Sequence, residues 1–158
     1  MSSLLCGTLG WRLRNEELTG PTPLAELSRG ERFRREQGID IGIRARELFR
    51  DGVLIGEPTT ALAAAKTKSV LDDQSIPVIF EATFFVDGFA TRSDILRREG
   101  SQWDLFEVKS GVTDHKDYVD DLAYTVMVLT RSGIKITSAR LLLISKEFRF
   151  GMDNLKLF

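Results

Sequence analysis

One cysteine and one histidine, Cys6 and His115, stand in the 158 residues. A lone cysteine excludes an internal disulfide framework and any all-protein four-cysteine site. A lone histidine without a cysteine partner leaves zinc centres and histidine-dependent nucleophiles unsupported. Charge of one sign is equally scarce. The 22 Lys and Arg residues against 23 Asp and Glu leave a formal net charge of -1. No global basic field advertises nucleic acid, although a local patch can carry such binding. No apolar run approaches the ~18 residues of a membrane span, and the start of the chain shows no signal-peptide pattern. Gly-rich phosphate loops of P-loop or dinucleotide-binding spacing are absent, as are internal repeats and low-complexity tracts. These absences point to a cytoplasmic protein with no membrane partner. With 42% hydrophobic residues, the chain can build the core of one domain without staples.

The informative stretch runs from Val78 to Gly111, VIFEATFFVDGFATRSDILRREGSQWDLFEVKSG. It reads as three strands joined by two tight turns, with Asp87-Gly88 as a two-residue hairpin signal and Gly100-Ser101 as a weaker one. Two-residue loops set the pairing by arithmetic. Glu81 then lies opposite Asp94, and Asp94 opposite Glu107. Three carboxylates would form a row on one face of the sheet. Like charges directly opposite are destabilising in a sheet, so such a row calls for positive charge. Lys109 shares the face of Glu107, because side chains alternate with period two, and Arg92 would lie opposite Lys109. On the other face, Phe80, Ile95, Phe106 and Val108 form an apolar layer for a covering helix. Leu96 and Leu105 flank the charges.

The order Asp94, hairpin, Glu107-Val108-Lys109 resembles the Asp…Glu-x-Lys signature of the PD-(D/E)xK nuclease superfamily. The phrases FEATFFVDGFATRSDIL and FEVKSG, followed by DDLAY, look most like its RecB/Cas4-like branch, over roughly residues 34–143. The resemblance implies an α/β fold with a restriction-endonuclease-like αβββαβ core, a mixed central sheet flanked by helices. It implies a nuclease that hydrolyses DNA phosphodiester bonds in repair, recombination or defence, in some relatives within a larger nuclease/helicase assembly. Asp94, Glu107 and Lys109 would be catalytic. Mg²⁺ or Mn²⁺ would be held by Asp94, Glu107 and the Val108 backbone carbonyl. The strand arithmetic, not the resemblance, adds Glu81 as a second-metal or outer acid, and the first helix offers Glu47 as another. Hard cations take such oxygen ligands, and Lys109 would orient the water and stabilise charge. Tyr124, Asp121, His115 and Arg92 are candidates for substrate contact.

The chain departs from the branch in three places. Gly42 stands where relatives carry a first-helix histidine. The Gln-x-x-x-Tyr of the later helix becomes Asp120-x-x-x-Tyr124, or Asp121-x-x-x-Thr125 in another register. The three late cysteines of cluster-bearing relatives are missing, so no iron–sulfur cluster is expected. These departures keep a second reading open: a catalytically inactive nuclease-fold module that binds nucleic acid or a protein partner.

Around this centre, residues 1–27 read as an N-terminal extension, 28–146 as the nuclease-like domain and 147–158 as a tail. Ser28 and Glu31 fit a capping box opening a helix to about Arg50, with Phe33, Ile39, Ile43, Leu48 and Phe49 as its apolar positions. Gly38 and Gly42 are costly there, which suggests close helix packing. Residues 51–58 read as a turn-rich connection, and 59–71 as a short Ala-rich helix. Thr113-Asp114 caps a helix over 114–131 whose stripe is Tyr118, Leu122, Val126 and Leu129, closed by Gly133. The apolar run 139–144 reads as a buried strand.

Overall fold

A computed structural model of the chain describes residues 28–158. The extension, with Cys6 and Trp11, lies outside the described residues. Helix α1 (Arg29–Arg46) opens on the expected capping box: Ser28 Oγ accepts from the Glu31 N–H at 3.3 Å, and the Ser28 N–H donates to Glu31 Oε2 at 2.9 Å. A three-residue strand, β1 (Gly52–Leu54), lies within the stretch expected to be a turn-rich connection. Helix α2 (Thr60–Asp72) is capped by Thr59. Strands β2 (Val78–Val86), β3 (Phe89–Glu99) and β4 (Gln102–Lys109) follow, then helix α3 (Lys116–Arg131) and strand β5 (Ile136–Leu143). His115, rather than Thr113 or Asp114, is the N-cap of α3, and its side chain makes no capping bond.

The five strands form one mixed sheet in the order β1-β2-β3-β4-β5. β1 and β2 are parallel, as are β4 and β5, while β3 runs against both its neighbours. The crossovers through α2 and α3 therefore step across the sheet in the same direction from strands of the same orientation. A single hand of crossover puts both helices on one face. They do share a core there: Ala63 and Val70 of α2 and Val128 and Leu129 of α3 pack with Ile79, Leu96 and Leu105. On the opposite face, Ala45 of α1 packs with Val78, Phe80, Ile95 and Phe106, flanked by Phe49 and Val108. The chain is thus an α/β protein with a five-stranded mixed sheet between helices.

Both hairpins close as the turn chemistry requires. Val86 pairs with Phe89, and Asp87 and Gly88 take φ of 51° and 76°, as a type I′ turn demands. Glu99 pairs with Gln102 across Gly100, which carries φ 61°.

Several expected positions differ. Phe33, Ile39 and Ile43 of α1 are exposed rather than buried, and the helix buries Ala45 near its C-terminal end instead. Among the described residues, a Cβ at Gly38 or Gly42 would meet nothing within 4 Å, so these glycines serve no close packing against the described elements. Among the described residues β5 pairs with β4 alone, which makes it a half-buried edge strand. The tail docks rather than trails: Leu157 is buried, Phe158 packs against the cluster that holds Ala45 and Phe106, and the Asn154 side-chain oxygen accepts from Arg44 at 2.8 Å. Among the described residues, no helix is long and apolar enough to cross a membrane.

Candidate functional site

The ladder between β2 and β3 keeps one register from end to end, yet two residues drop out of it. Phe80 pairs with Ile95 and Ala82 with Ser93, leaving Glu81 and Asp94 opposed but unpaired. Glu81 takes φ 58° in mid-strand, a left-handed conformation rare for a residue with a Cβ. The consequence is a change of face in β2. Ile79 lies in the core under α2 and α3, and so do Ala82 and Phe84 beyond the break. Simple alternation would have put those two on the other side. Glu81 and Asp94 open instead on the α1 face, where both line a cleft beneath that helix. Leu96, expected beside Asp94, is fully buried on the opposite face.

The β3–β4 ladder starts at Glu99–Gln102 and ends at Ile95–Phe106, one step before Asp94 and Glu107 would pair. The strands fork there. Asp94 Oδ2 accepts the Val108 N–H at 2.7 Å, so a side chain takes the place of the missing ladder bond. In an extended strand a residue's N–H and C=O point to the same side, which turns the Val108 carbonyl toward the fork as well. β4 meanwhile stays paired with β5 from Asp104 to Lys109. Glu107 and Lys109 therefore keep the face of Leu105, under α3. Lys109 Nζ donates to Glu107 Oε1 at 2.9 Å and also to the Asp121 carboxylate on α3. The carboxylates thus do not lie on one flat face. Glu81 and Asp94 line the cleft beneath α1, Glu107 and Lys109 share the side of Leu105, and at the fork the carboxyls of Asp94, Glu107 and Glu81 come close enough to act on one another.

Electrostatics couples them. Burial pushes the Asp94 carboxyl up to about 8, reinforced by Glu107 and Glu81 and opposed by the Val108 N–H and Lys109. Burial raises Glu107 too, against the pull of Lys109. It also raises Glu81, moderated by Arg92 and Arg46. For Lys109, burial works to lower the pKa, but Glu107 and Asp121 outweigh it and hold the ammonium above its usual range. Glu107 Oε2 is buried without a hydrogen-bond partner. Such an orphan is costly unless another group satisfies it.

The remaining candidates fall into three groups. Arg92 lines the cleft and donates to Thr83 Oγ1 at 3.3 Å. It pairs with Thr83 on β2, and Lys109 with Leu143 on β5, so the two do not face one another. Tyr124 donates to the Ala90 carbonyl at 3.0 Å and packs against the core. His115 is exposed, edge-on to Tyr118 at 5.2 Å, and Glu47 is the exposed C-cap of α1, neither lining the cleft nor acting on Asp94.

Among the described residues, no three His, Cys, Asp or Glu side chains gather into a cation cage. Mg²⁺ does not need one, since it takes one or two carboxylates and keeps several waters. Asp94, Glu107 with its orphan oxygen, and the carbonyl turned to the fork suit that habit.

The cleft's other wall is Arg35, Gly38, Ile39, Gly42 and Arg46 of α1, of which the two arginines were not singled out in the sequence. Their spacing of three, four, seven and eleven marks one helical face. That spacing, read together with the two unexplained glycines, was the available signal. No family model, curated protein or solved structure matches this chain.

Proposed function

We propose that this chain is a metal-dependent nuclease that hydrolyses phosphodiester bonds of DNA, on a restriction-endonuclease-like αβββαβ core. The observation that carries the reading is the fork. There the Asp94 carboxylate takes the Val108 N–H between Glu107, with an unsatisfied buried oxygen, and the ion-paired Lys109. A row of carboxyls raised by burial and by one another is a poor structural device and a good cation trap.

Asp94, Glu107 and the Val108 carbonyl would hold Mg²⁺ or Mn²⁺, with Glu81 as an outer acid beside Asp94. When bound, the ion supplies Lewis acidity and lowers the pKa of a coordinated water. Lys109 stays a cation at neutral pH and is aimed by two carboxylates. It orients the attacking water and offsets negative charge that develops on the phosphoryl oxygens. Val108 fixes the Asp94 carboxylate through its N–H. Asp121 restrains Lys109 from the α3 side.

A second reading has its own support. The Asp121 carboxylate engages the same ammonium that catalysis needs, which favours a catalytically silent module binding nucleic acid or a protein partner. Cleavage of labelled single- and double-stranded DNA with Mg²⁺ or Mn²⁺ decides between them. Metal-dependent cutting by the native chain, lost in Lys109→Ala and in Glu107→Ala, is the expected result. Calorimetric metal binding that needs Asp94 and Glu107, without any cutting, would favour the silent module. Absence of both cutting and metal binding would sink the nuclease reading.

A further inference from the structure

The sheet has two edges, and they differ. β1 offers three residues, short enough to discourage pairing with another chain. β5 offers eight, with no proline and a single charge, and none of the eight is buried. Among the described residues it pairs with β4 alone. The bond just after the strand fixes the direction of its backbone groups. The Ile144 N–H donates to the Gly111 carbonyl at 2.9 Å, on the β4 side. Along a strand, successive residues turn their N–H and C=O groups to opposite edges. Counting back by two, Leu142 and Arg140 turn to β4, while Leu143, Leu141 and Ala139 turn theirs outward. A row of such groups is a template for an added strand.

Charge decides which strand fits. From Arg131 to Lys146 the chain carries four cations, Arg131, Lys135, Arg140 and Lys146, and no Asp or Glu, in a protein whose formal net charge is -1. Arg131 is drawn to Asp87 at 3.6 Å; the other three stand along β5 and at its two ends. Arg140 lies in mid-strand, on the α1 face over the Phe106 ring, with about half of its side chain exposed. The Asp104 carboxylate 3.7 Å from Arg140 already accepts from Arg97 and from Ser138, each at 2.6 Å. Arg140 thus shares one carboxylate with two stronger donors. Opposite charges stabilise neighbouring strands and like charges destabilise them. A second copy of β5 would set cations against cations, whereas an acidic strand would complement them.

We propose that the β5 edge takes an extended acidic segment of a protein partner as a sixth strand. Its backbone pairs with Ala139, Leu141 and Leu143. Its carboxylates, two residues apart on one face, meet Arg140 and the lysines at either end of β5. Apolar residues between them lie beside Leu141 and Leu143 on the other face. This docking depends on neither hydrolysis nor metal binding at the fork.

The test is fluorescence anisotropy of a labelled eight-residue peptide alternating valine and glutamate, on the full chain in EDTA, against the same peptide with lysine for glutamate. The glutamate peptide is expected to bind at least about tenfold more tightly than the lysine peptide. Arg140→Gln removes the mid-strand cation and should weaken glutamate-peptide binding about threefold or more. Ala139→Pro removes one outward donor and no bond to β4, a place where an edge strand tolerates proline. It should weaken binding about fivefold or more, and circular dichroism checks that both variants fold. Amide exchange followed by NMR needs no variant. In the free chain the Ala139, Leu141 and Leu143 amides should exchange faster than those of Arg140 and Leu142, and the glutamate peptide should slow them at least about tenfold. Equal binding of the two peptides, native-like binding by Ala139→Pro, unchanged exchange or no binding at all would overturn the proposal. Concentration-dependent dimers abolished by Ala139→Pro would overturn it in favour of a second copy. Peptide binding with this pattern but without DNA cutting or metal binding would sink the nuclease reading alone, and cutting without peptide binding would sink the edge alone.

Discussion

Glu81 and Asp94 oppose one another across β2 and β3, and both stand out of a ladder that is in register on either side of them. Placing two half-buried carboxyls together costs stability twice over, through desolvation and through like charge. Glu81 adds backbone strain at φ 58°. Strain of this kind persists only where the surroundings hold it in place, and it concentrates at functional positions.

Relieving that strain should stabilise the protein. Glu81→Gly tolerates the left-handed backbone and removes a buried carboxyl, so unfolding in urea is expected to shift toward greater stability by about 1 kcal/mol. Glu81→Gln keeps the strain and should gain less. A Glu81→Gly variant less stable than native would show that the Glu81 side chain contributes more to the fold than its backbone costs.

Stability without metal should fall as pH rises. A carboxyl whose folded pKa lies above its unfolded value keeps its proton longer when folded. Its contribution is full below the unfolded pKa and is lost as pH climbs through the folded one. For Asp94 that window runs from the ordinary carboxylate range to about 8, and Glu107 and Glu81 are displaced in the same direction. One proton gives a slope of at most about 1.4 kcal/mol per pH unit. Urea melts in EDTA at pH 5, 6.5 and 8 should show the decline, and Asp94→Asn should flatten it. Mg²⁺ should restore stability most strongly at the alkaline end, because binding requires deprotonated ligands. Stability that is flat or increasing over this range in EDTA would mean that Asp94 is ionised throughout.

Lys109 and Glu107 should behave as a unit. Both side chains are largely buried, at 18% and 9% exposure. Lys109→Met leaves the Glu107 carboxylate without its cation, which is expected to cost about 3 kcal/mol at pH 8 and less as the pH falls, because burial favours the protonated form of Glu107. The double variant Glu107→Gln with Lys109→Met should recover most of the loss. A thermodynamic cycle reads this coupling directly; additive single-variant losses would show that the pair is not coupled.

Gly52 is required by a close approach. A Cβ there would fall 2.2 Å from Cε2 of the buried Phe80 ring. Gly52→Ala should lower stability by about 1–3 kcal/mol, as overpacking of a core does. A smaller cost is expected in a Phe80→Leu background. Thermal melts of the two backgrounds test it, and an equal loss in both would trace the effect to the backbone rather than to the ring.

The legible parts of this fold were those where local chemistry decides. Asp87-Gly88, Gly100 and the Ser28–Glu31 box each specify geometry within a few residues, and the registers of β2, β3 and β4 came from the turns. What stayed hidden depended on distant partners. The strand Gly52–Leu54 is too short for a periodic signal and exists because β2 offers it an edge. The face change at Glu81 breaks period two without shifting the register, so no count along the chain reveals it. For the same reason Asp94, Glu107 and Lys109 were singled out by type and spacing, while their division between the α1 and α3 faces was not. The arginines of α1 belong to no motif, and the cleft that Arg35 and Arg46 line exists only once the sheet is placed beneath the helix.

The two hairpin turns have one more consequence, in the order of assembly. Each joins its strands through a loop of two residues, Asp87-Gly88 and Gly100-Ser101, so β2, β3 and β4 close at the least cost in chain entropy. β1 and β5 must wait for whole helices to cross over. Local contacts of this kind form fastest in folding. Glu81, Asp94, Glu107 and Lys109 all lie on that early meander. The two turns alone therefore suffice to bring the carboxyls together, without either crossover helix.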